Sequence, residues 1–296
     1  MDDLSIALKR NVGFHDTAGI RDASGKLVPF CRMPNGRIFP PFGQQYLSNV
    51  KTVKMRPDDI LVCGYPKSGC HWTWEVMGMI LKGKPEYSKI GKVETMLELS
   101  SPEVTEAAPS PRILNTHFWF EELPGEIKKN KTKIVFTTRN PKDTAVSHYN
   151  HHRNMTNIYN YDGDFGDWIP LWIDGNIDYG SFLEFHLKWD KAIRENPDQP
   201  ILVLNYEDMK QDILPSIRKL ATFLDVNLTE QQIQDIAQVS DFDTMKSRYK
   251  GTPCERLIRK GQVGDWKNWF TVARSEQVDQ WQEQLDQTMF RFRYSL

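Results

Sequence analysis

The chain has 296 residues, 39% of them hydrophobic, enough apolar material for one large α/β domain or two smaller ones. A formal net charge of −1 excludes a global field that gathers nucleic acid or anionic membrane, so any anion site must be local. No apolar run approaches membrane-spanning length, and the four cysteines (Cys31, Cys63, Cys70, Cys254) show no metal-ligand pairing and read as reduced thiols.

The acidic start M-D-D-L-S-I-A-L-K-R holds no apolar signal core, so a cytoplasmic location is expected, and the N-x-T sequons at Asn130, Asn154 and Asn227 then carry no consequence. Residues 1–55, rich in Gly, Pro and basic side chains, read as an irregular arm of the same domain that residues 56–296 form. Ile60 to Cys63 is a short apolar run with turn signals behind it, the pattern of a buried strand. Trp72, Val76, Met79 and Ile80 then recur at helical spacing. The loop between, G-Y-P-K-S-G, joins a strand to a helix N-terminus whose first N–H groups lack partners, which makes an anion site. It is not a nucleotide P-loop, because Gly64 and Gly69 are followed by Cys70 and His71 where that motif needs Lys and Ser or Thr.

Arg112 to His117 reads as a second strand with histidine at its end. T-K-I-V-F-T-T-R-N-P-K-D is a buried strand ending near Arg139, followed by a helix with Asn140 as N-cap, Pro141 at the first position and Asp143 in the first turn. Gln199 to Met209 is a further strand running into a helix, and Leu214–Leu224 and Thr229–Val239 are amphipathic helices. Repeated strand-to-helix units imply a single α/β domain with a mainly parallel sheet flanked by helices. Ligands of such sheets sit past the carboxyl ends of the strands, where this chain offers Lys67, Ser68, His117, Arg139 and Tyr206. Four strand ends carrying lysine, histidine, arginine and tyrosine suit an anionic substrate. Arg139 and Ser147, two turns into the helix, can clamp a phosphate, and Arg259-Lys260-Gly261 with Gly264 forms a loop whose backbone can approach an anion.

Together Y-P-K-S-G with Trp72, R-N-P-K-D-x-A-V-S, N-Y-E-D-M-K and R-K-G-x-x-G-D-W-K-N-x-F-T resemble the cytosolic sulfotransferases, in order, from about Arg56 to the C-terminus. The resemblance implies a P-loop-like strand–loop–helix that binds 3′-phosphoadenosine 5′-phosphosulfate (PAPS) and transfers its sulfuryl group to an acceptor hydroxyl or amine, leaving adenosine 3′,5′-bisphosphate (PAP). It assigns Lys67, Ser68, Gly69, Cys70, His71 and Trp72 to the 5′-phosphosulfate, and Arg139, Ser147, Arg259, Lys260 and Gly261 to the 3′-phosphate. Trp72, Tyr206, Ser240 and Phe242 surround the adenine in this reading, His117 is the catalytic base, and Lys67 and Ser147 assist it. No metal is required, because the donor is already activated. A P-loop nucleotide kinase and a catalytically weak bisphosphate binder remain the alternatives.

Three departures from the family fall at the reacting centre. Cys70 and His71 stand where two threonines are usual, and a protonated His71 is expected to help hold the phosphate. Asn115 replaces a lysine common in phenol-sulfating members and is expected to donate a hydrogen bond to the sulfuryl oxygen. His117-Phe118-Trp119 replaces H-L-P, which puts Asn115, Phe118, Trp119 and His151 in the expected acceptor pocket. His148, His151 and His152 share a helical face without a carboxylate at ligand spacing, so a pocket wall is expected rather than a metal site. D-G-D-F-G-D (Asp162 to Asp167) lacks the glutamate of a calcium loop and reads as a turn in a lid over the acceptor. Lys267, Thr271, Val272 and Glu276 spell K-x-x-x-T-V-x-x-x-E, which resembles the family's dimerisation segment and implies a homodimer.

Overall fold

The structure is a computed structural model that describes residues 16–41, 47 and 50–296. Of the expected arm, residues 1–15, 42–46, 48 and 49 lie outside the described residues. The centre is a four-stranded parallel sheet of β3 (Ile60–Gly64), β4 (Ile113–Thr116), β5 (Lys133–Thr138) and β6 (Ile201–Asn205), in the order β4-β3-β5-β6. A two-stranded antiparallel ladder, β1 (Cys31–Arg32) with β2 (Ile38–Phe39), precedes it.

Strand alternation explains the two cores. Leu61 and Cys63 of β3 point to one face of the sheet, with Leu114, Ile134 and Phe136, into a cluster dominated by Trp168, Trp172, Phe182, Phe185 and Trp189. Ile60 and Val62 point to the other face, with Val135 and Leu204, against Trp74, Met77, Ile217, Leu220 and Ile236. Both faces of the sheet are covered by helices, which is why all five residues of β3 are buried and why its sequence reads as a continuous apolar run. Val28, Phe30 and Phe39 are buried in the first cluster beside these aromatics.

Register sets the site. Cys63 pairs with Thr116, and Gly64 pairs with Thr137, so the ends of β3, β4 and β5 leave the sheet at the same level. Beyond β3 the helix Cys70–Lys82 begins, and beyond β5 the helix Pro141–Asn154. Asn140 caps the latter by accepting from the Asp143 N–H at 2.8 Å. The D-G-D-F-G-D stretch is not a lid. Gly163 O accepts from Tyr149 Oη at 2.9 Å, Asp164 precedes the helix Phe165–Ile173, and no residue of 162–167 lies on the cavity wall. The cause is burial of Phe165, Trp168 and Ile169, which anchors this segment in the core.

Candidate active site

A cavity of about 1360 Å³ opens over the carboxyl ends of the strands, and the residues singled out from the sequence converge on it from six segments. Lys67, Gly69, Cys70, His71, Trp72, His117, Arg139, Ser147, His151, Tyr206, Phe242, Arg259, Lys260 and Gly261 all line it. Ser68, Asn115, Phe118, Trp119 and Ser240 do not.

The loop after β3 is held in an uncommon backbone. Lys67 has φ of 70° and Gly69 has φ of 103°, both left-handed. At Gly69 a Cβ would stand 3.0 Å from Tyr206 Cδ2, so glycine lets the loop lie against that ring. The helix it opens has no side-chain cap, which leaves its first N–H groups for an anion. Burial and the charges of Arg139, Lys92 and Arg259 push the Lys67 ammonium down to about 8, so it remains mostly charged at neutrality.

His117 continues from the end of β4. Its Nδ1 lies 2.7 Å from Gly64 O, and its N–H donates to Glu98 Oε1 at 2.8 Å. A carbonyl only accepts, so Nδ1 carries the hydrogen and Nε2 keeps its lone pair. Burial and the Lys92 charge lower the imidazole to about 3, well away from the near-neutral value expected of it, so the ring is uncharged.

The other wall binds cations to aromatic faces. Arg139 stacks over the Tyr206 ring at 4.3 Å and donates to Gln262 O at 3.0 Å, while its buried Nε has no partner. Trp72 Nε1 donates to Ser240 O at 2.9 Å, so Ser240 positions that indole through its backbone while its hydroxyl faces Met79 Sδ. Two carboxylates place the Arg259–Gly261 loop, and neither was legible as a site residue. Asp265 accepts from Arg259 at 2.5 Å and Lys260 at 2.7 Å. Although burial of Asp265 works the other way, these bonds hold its carboxyl down to about 2. Asp143 accepts from the N–H groups of Gly264 at 2.7 Å and Trp266 at 3.0 Å, tying this loop to the start of the Pro141–Asn154 helix. Gly261 has φ of 61°, and a Cβ there would fall 2.1 Å from Phe242 Cδ2.

Several expectations are corrected by these surroundings. His71 is not a cation: burial, then Lys92 and Lys67, lower it to about 3, and it packs between Trp74 and Tyr249. The Cys70 thiol is buried 3.0 Å from Thr137 Oγ1, so only its backbone is offered to the cavity. Asn115 has both amide hydrogens engaged, to Lys92 O at 2.8 Å and Thr95 Oγ1 at 3.2 Å, and cannot donate to a sulfuryl oxygen. Phe118, at a bend after β4, is buried against Phe39 and off the cavity wall. Trp119 is held between Arg37, 3.6 Å over its ring, and Lys188 at 3.9 Å.

The histidine face also differs from its sequence reading. Asp178, far along the chain, supplies the missing carboxylate, and ligand atoms of His148, His152 and Asp178 lie within 4.8 Å of one another. Trp168 Nε1 donates to His152 Nδ1 at 3.0 Å, so His152 Nε2 bears the hydrogen and donates to Asp178 Oδ1 at 3.0 Å. That hydrogen occupies the direction a metal would take. Tyr159 donates to Asp178 Oδ2 at 2.8 Å. Burial tends to raise the Asp178 pKa, but His152 and His148 outweigh it and hold the carboxyl well below the usual range. His148, Tyr159 and Asp178 face the cavity with Met155, Ile158 and Tyr179; His148 Nε2 lies 3.0 Å from Asp178 Oδ1, while the buried Nδ1 atoms of His148 and His151 have no partner among the described residues.

Comparison with known proteins agrees with this geometry. The Sulfotransferase domain family matches residues 57–291. Sulfotransferase 6B1 of Pan troglodytes is 35% identical over 236 residues, covering 77% of this chain and 76% of the relative. Sulfotransferase 1B1 of Mus musculus is 36% identical over 254 residues, covering 78% and 83% respectively. Among solved structures, mouse sulfotransferase SULT7A1 complexed with PAP superimposes with a TM-score of 0.74 at 27% identity, over 88% of this chain and 96% of that one. With its parallel sheet, its phosphate-ready loop and a family match over most of its length, this chain belongs to the sulfotransferase family.

Proposed function

We propose that the protein transfers the sulfuryl group of PAPS to a hydroxyl or amine of a small acceptor, with His117 as general base. The observation that carries this reading is the 2.7 Å contact of His117 Nδ1 with Gly64 O, which leaves a neutral Nε2 beside the donor loop. The donor reading has a physical fit. The unpartnered Arg139 Nε and the uncapped helix N-terminus are groups an anion would satisfy. The narrow approach at Gly69 and Gly261 suits backbone contact with phosphates. The mouse relative was solved with PAP.

In the reaction, His117 Nε2 takes the acceptor's proton while the acceptor oxygen or nitrogen bonds to sulfur. The bond from sulfur to the bridging oxygen of the 5′-phosphate breaks in line, and PAP leaves. Lys67 neutralises the leaving phosphate. Arg139, Ser147, Arg259, Lys260 and Gly261 hold the 3′-phosphate, and Trp72, Tyr206 and Phe242 the adenine. The unpartnered Nδ1 atoms of His148 and His151 favour an acceptor with a polar group besides the reacting one. Lys267, Thr271, Val272 and Glu276 form an isologous dimer contact, a reading supported by Val272, which is 76% exposed.

The test uses labelled PAPS with phenols, alcohols, amines and polyhydroxylated acceptors, beside thermal shift with PAP. Transfer by the wild type, a His117→Ala variant that binds PAP yet does not transfer, and an Arg259→Ala variant that loses most of the shift are expected. PAP binding without transfer would leave only a bisphosphate binder, and an equal shift with AMP would refute the donor site.

A further inference from the structure

We propose that Lys92, contributed by the short turn Lys92–Thr95, is a second cation of the transfer site and meets the sulfuryl oxygens directly. The inference rests on the sulfuryl-transfer reading above.

The turn is fastened to one residue of β4. Lys92 Nζ donates to Asn115 Oδ1 at 2.6 Å, Asn115 Nδ2 donates to Lys92 O at 2.8 Å and to Thr95 Oγ1 at 3.2 Å, and Leu97 N–H donates to Asn115 O at 3.0 Å. Side chain and backbone of Asn115 thus hold both ends of the lysine. Asn115 and His117 are two residues apart on an extended segment, so they share a side and stand roughly 6–7 Å apart along it. The ammonium is therefore held on the same side of this segment as the base. Lys92 lines the same cavity as Lys67 and His117.

Its charge reaches several groups around the cavity. It acts on His117 and His71 and also on Lys67, Cys70 and Glu98. Holding like charges close is costly unless an anion comes between them. Lys67 and Lys92 converge on one cavity, and a sulfuryl group in transit spreads negative charge over its equatorial oxygens. The donor loop itself adds no other cation, since His71 is neutral and the Cys70 thiol is buried against Thr137. Lys92 supplies what the loop lacks. After burial, it is also the largest influence that keeps His117 unprotonated. The charged and titratable groups that face this imidazole are Lys92 and Lys67, His148 from the Pro141–Asn154 helix, Glu98 at its backbone and Tyr179 at its ring.

The experiment compares Lys92→Gln and Lys92→Arg with the wild type in the full chain, using labelled PAPS and a phenolic acceptor. Glutamine keeps a donor for Asn115 without the charge, so a purely structural lysine would tolerate it. The expected result is a fall in kcat of about 100-fold for Lys92→Gln, with donor KM and the PAP thermal shift little changed, and recovery of most of kcat by Lys92→Arg. The acidic limb of kcat/KM should also move to higher pH in Lys92→Gln, because the nearby positive charge no longer opposes protonation of His117. A glutamine variant within threefold of wild-type kcat, or with an unmoved acidic limb, overturns the role of Lys92 alone. A wild type that binds PAP but transfers nothing overturns the parent reading and this one together.

Discussion

His186 offers a clean measurement of how strongly the interior enforces neutrality next to the site. Its ring is fully buried among Phe182, Phe185, Phe290 and Phe292, with Nδ1 2.9 Å from Phe182 O and Nε2 3.0 Å from Thr138 Oγ1. Thr138 ends β5 immediately before Arg139, so this ring braces the strand end from which the guanidinium leaves. Burial lowers the imidazole to about 4, with only the Phe182 carbonyl opposing and no charged neighbour. In the unfolded chain it titrates near 6.5, so below that pH the unfolded state binds the proton that the folded state refuses. Stability from this residue is complete above about pH 6.5 and is lost as pH falls toward 4.

The size follows from the two values. Between about pH 7.5 and pH 5 the residue should cost the wild type about 2 kcal/mol, approaching about 3 kcal/mol near pH 4. His186→Phe removes the titration while roughly conserving ring volume. It leaves Thr138 Oγ1 and Phe182 O without their partner, for a pH-independent loss of about 1–3 kcal/mol. Urea unfolding of both proteins across this range gives the difference directly, and other titrating groups cancel in it. The wild-type advantage at pH 7.5 should shrink by about 2 kcal/mol at pH 5. A difference independent of pH would show that His186 is protonated or hydrated in the folded state, and the reasoning from burial would fail.

Gly261→Ala places a side chain at positive φ, which costs about 1–2 kcal/mol, and drives it into Phe242; PAP affinity measured by calorimetry should fall at least tenfold, and equal affinity would refute the placement of this loop. Arg112→Met breaks a fully buried pair with Asp59, at 2.7 and 2.5 Å; it should lower stability by about 3–5 kcal/mol, and pairing it with Asp59→Leu should recover much of that loss in urea unfolding. A single variant as stable as wild type would show that Asp59 finds another partner. Val272→Glu should convert a dimer to a monomer with transfer intact; the expected contact is smaller than a standard interface of roughly 1,600 Å², so light scattering over a dilution series is the appropriate measurement. A wild-type monomer at micromolar concentration would remove the dimer proposal.

Elements whose cause is local were legible from the residues alone. The apolar run at Ile60, the Asn140–Pro141 helix start and the amphipathic helix over Thr229–Val239 depend on neighbours within a few positions, and each element appears within one or two residues of its expected span. The parallel sheet followed from their alternation, and the convergence of Lys67, His117, Arg139 and Tyr206 followed from the rule that strand ends of such a sheet share one rim.

What local pattern cannot carry is partnership across the fold. Asp178 meets His152 from 26 residues away, Asp143 meets Gly264 from 121, and Lys92 meets Asn115 from 23. Asp178 and Lys92 are not marked by their neighbours, because an aspartate or lysine in a loop or short turn looks solvated until packing brings a partner to it. Charge state belongs to the same class. His71 and His117 are ordinary histidines as letters, and only their enclosure, with Lys92 beside them, makes them neutral. The direction of Phe118, away from the cavity, was settled by its burial against Phe39, and that of Trp119 by Arg37 and Lys188 over its ring. Short-range chemistry therefore wrote the scaffold and its family motifs into the sequence, while desolvation and long-range contact, which exist only after folding, determined the protonation and orientation of the groups that line the cavity.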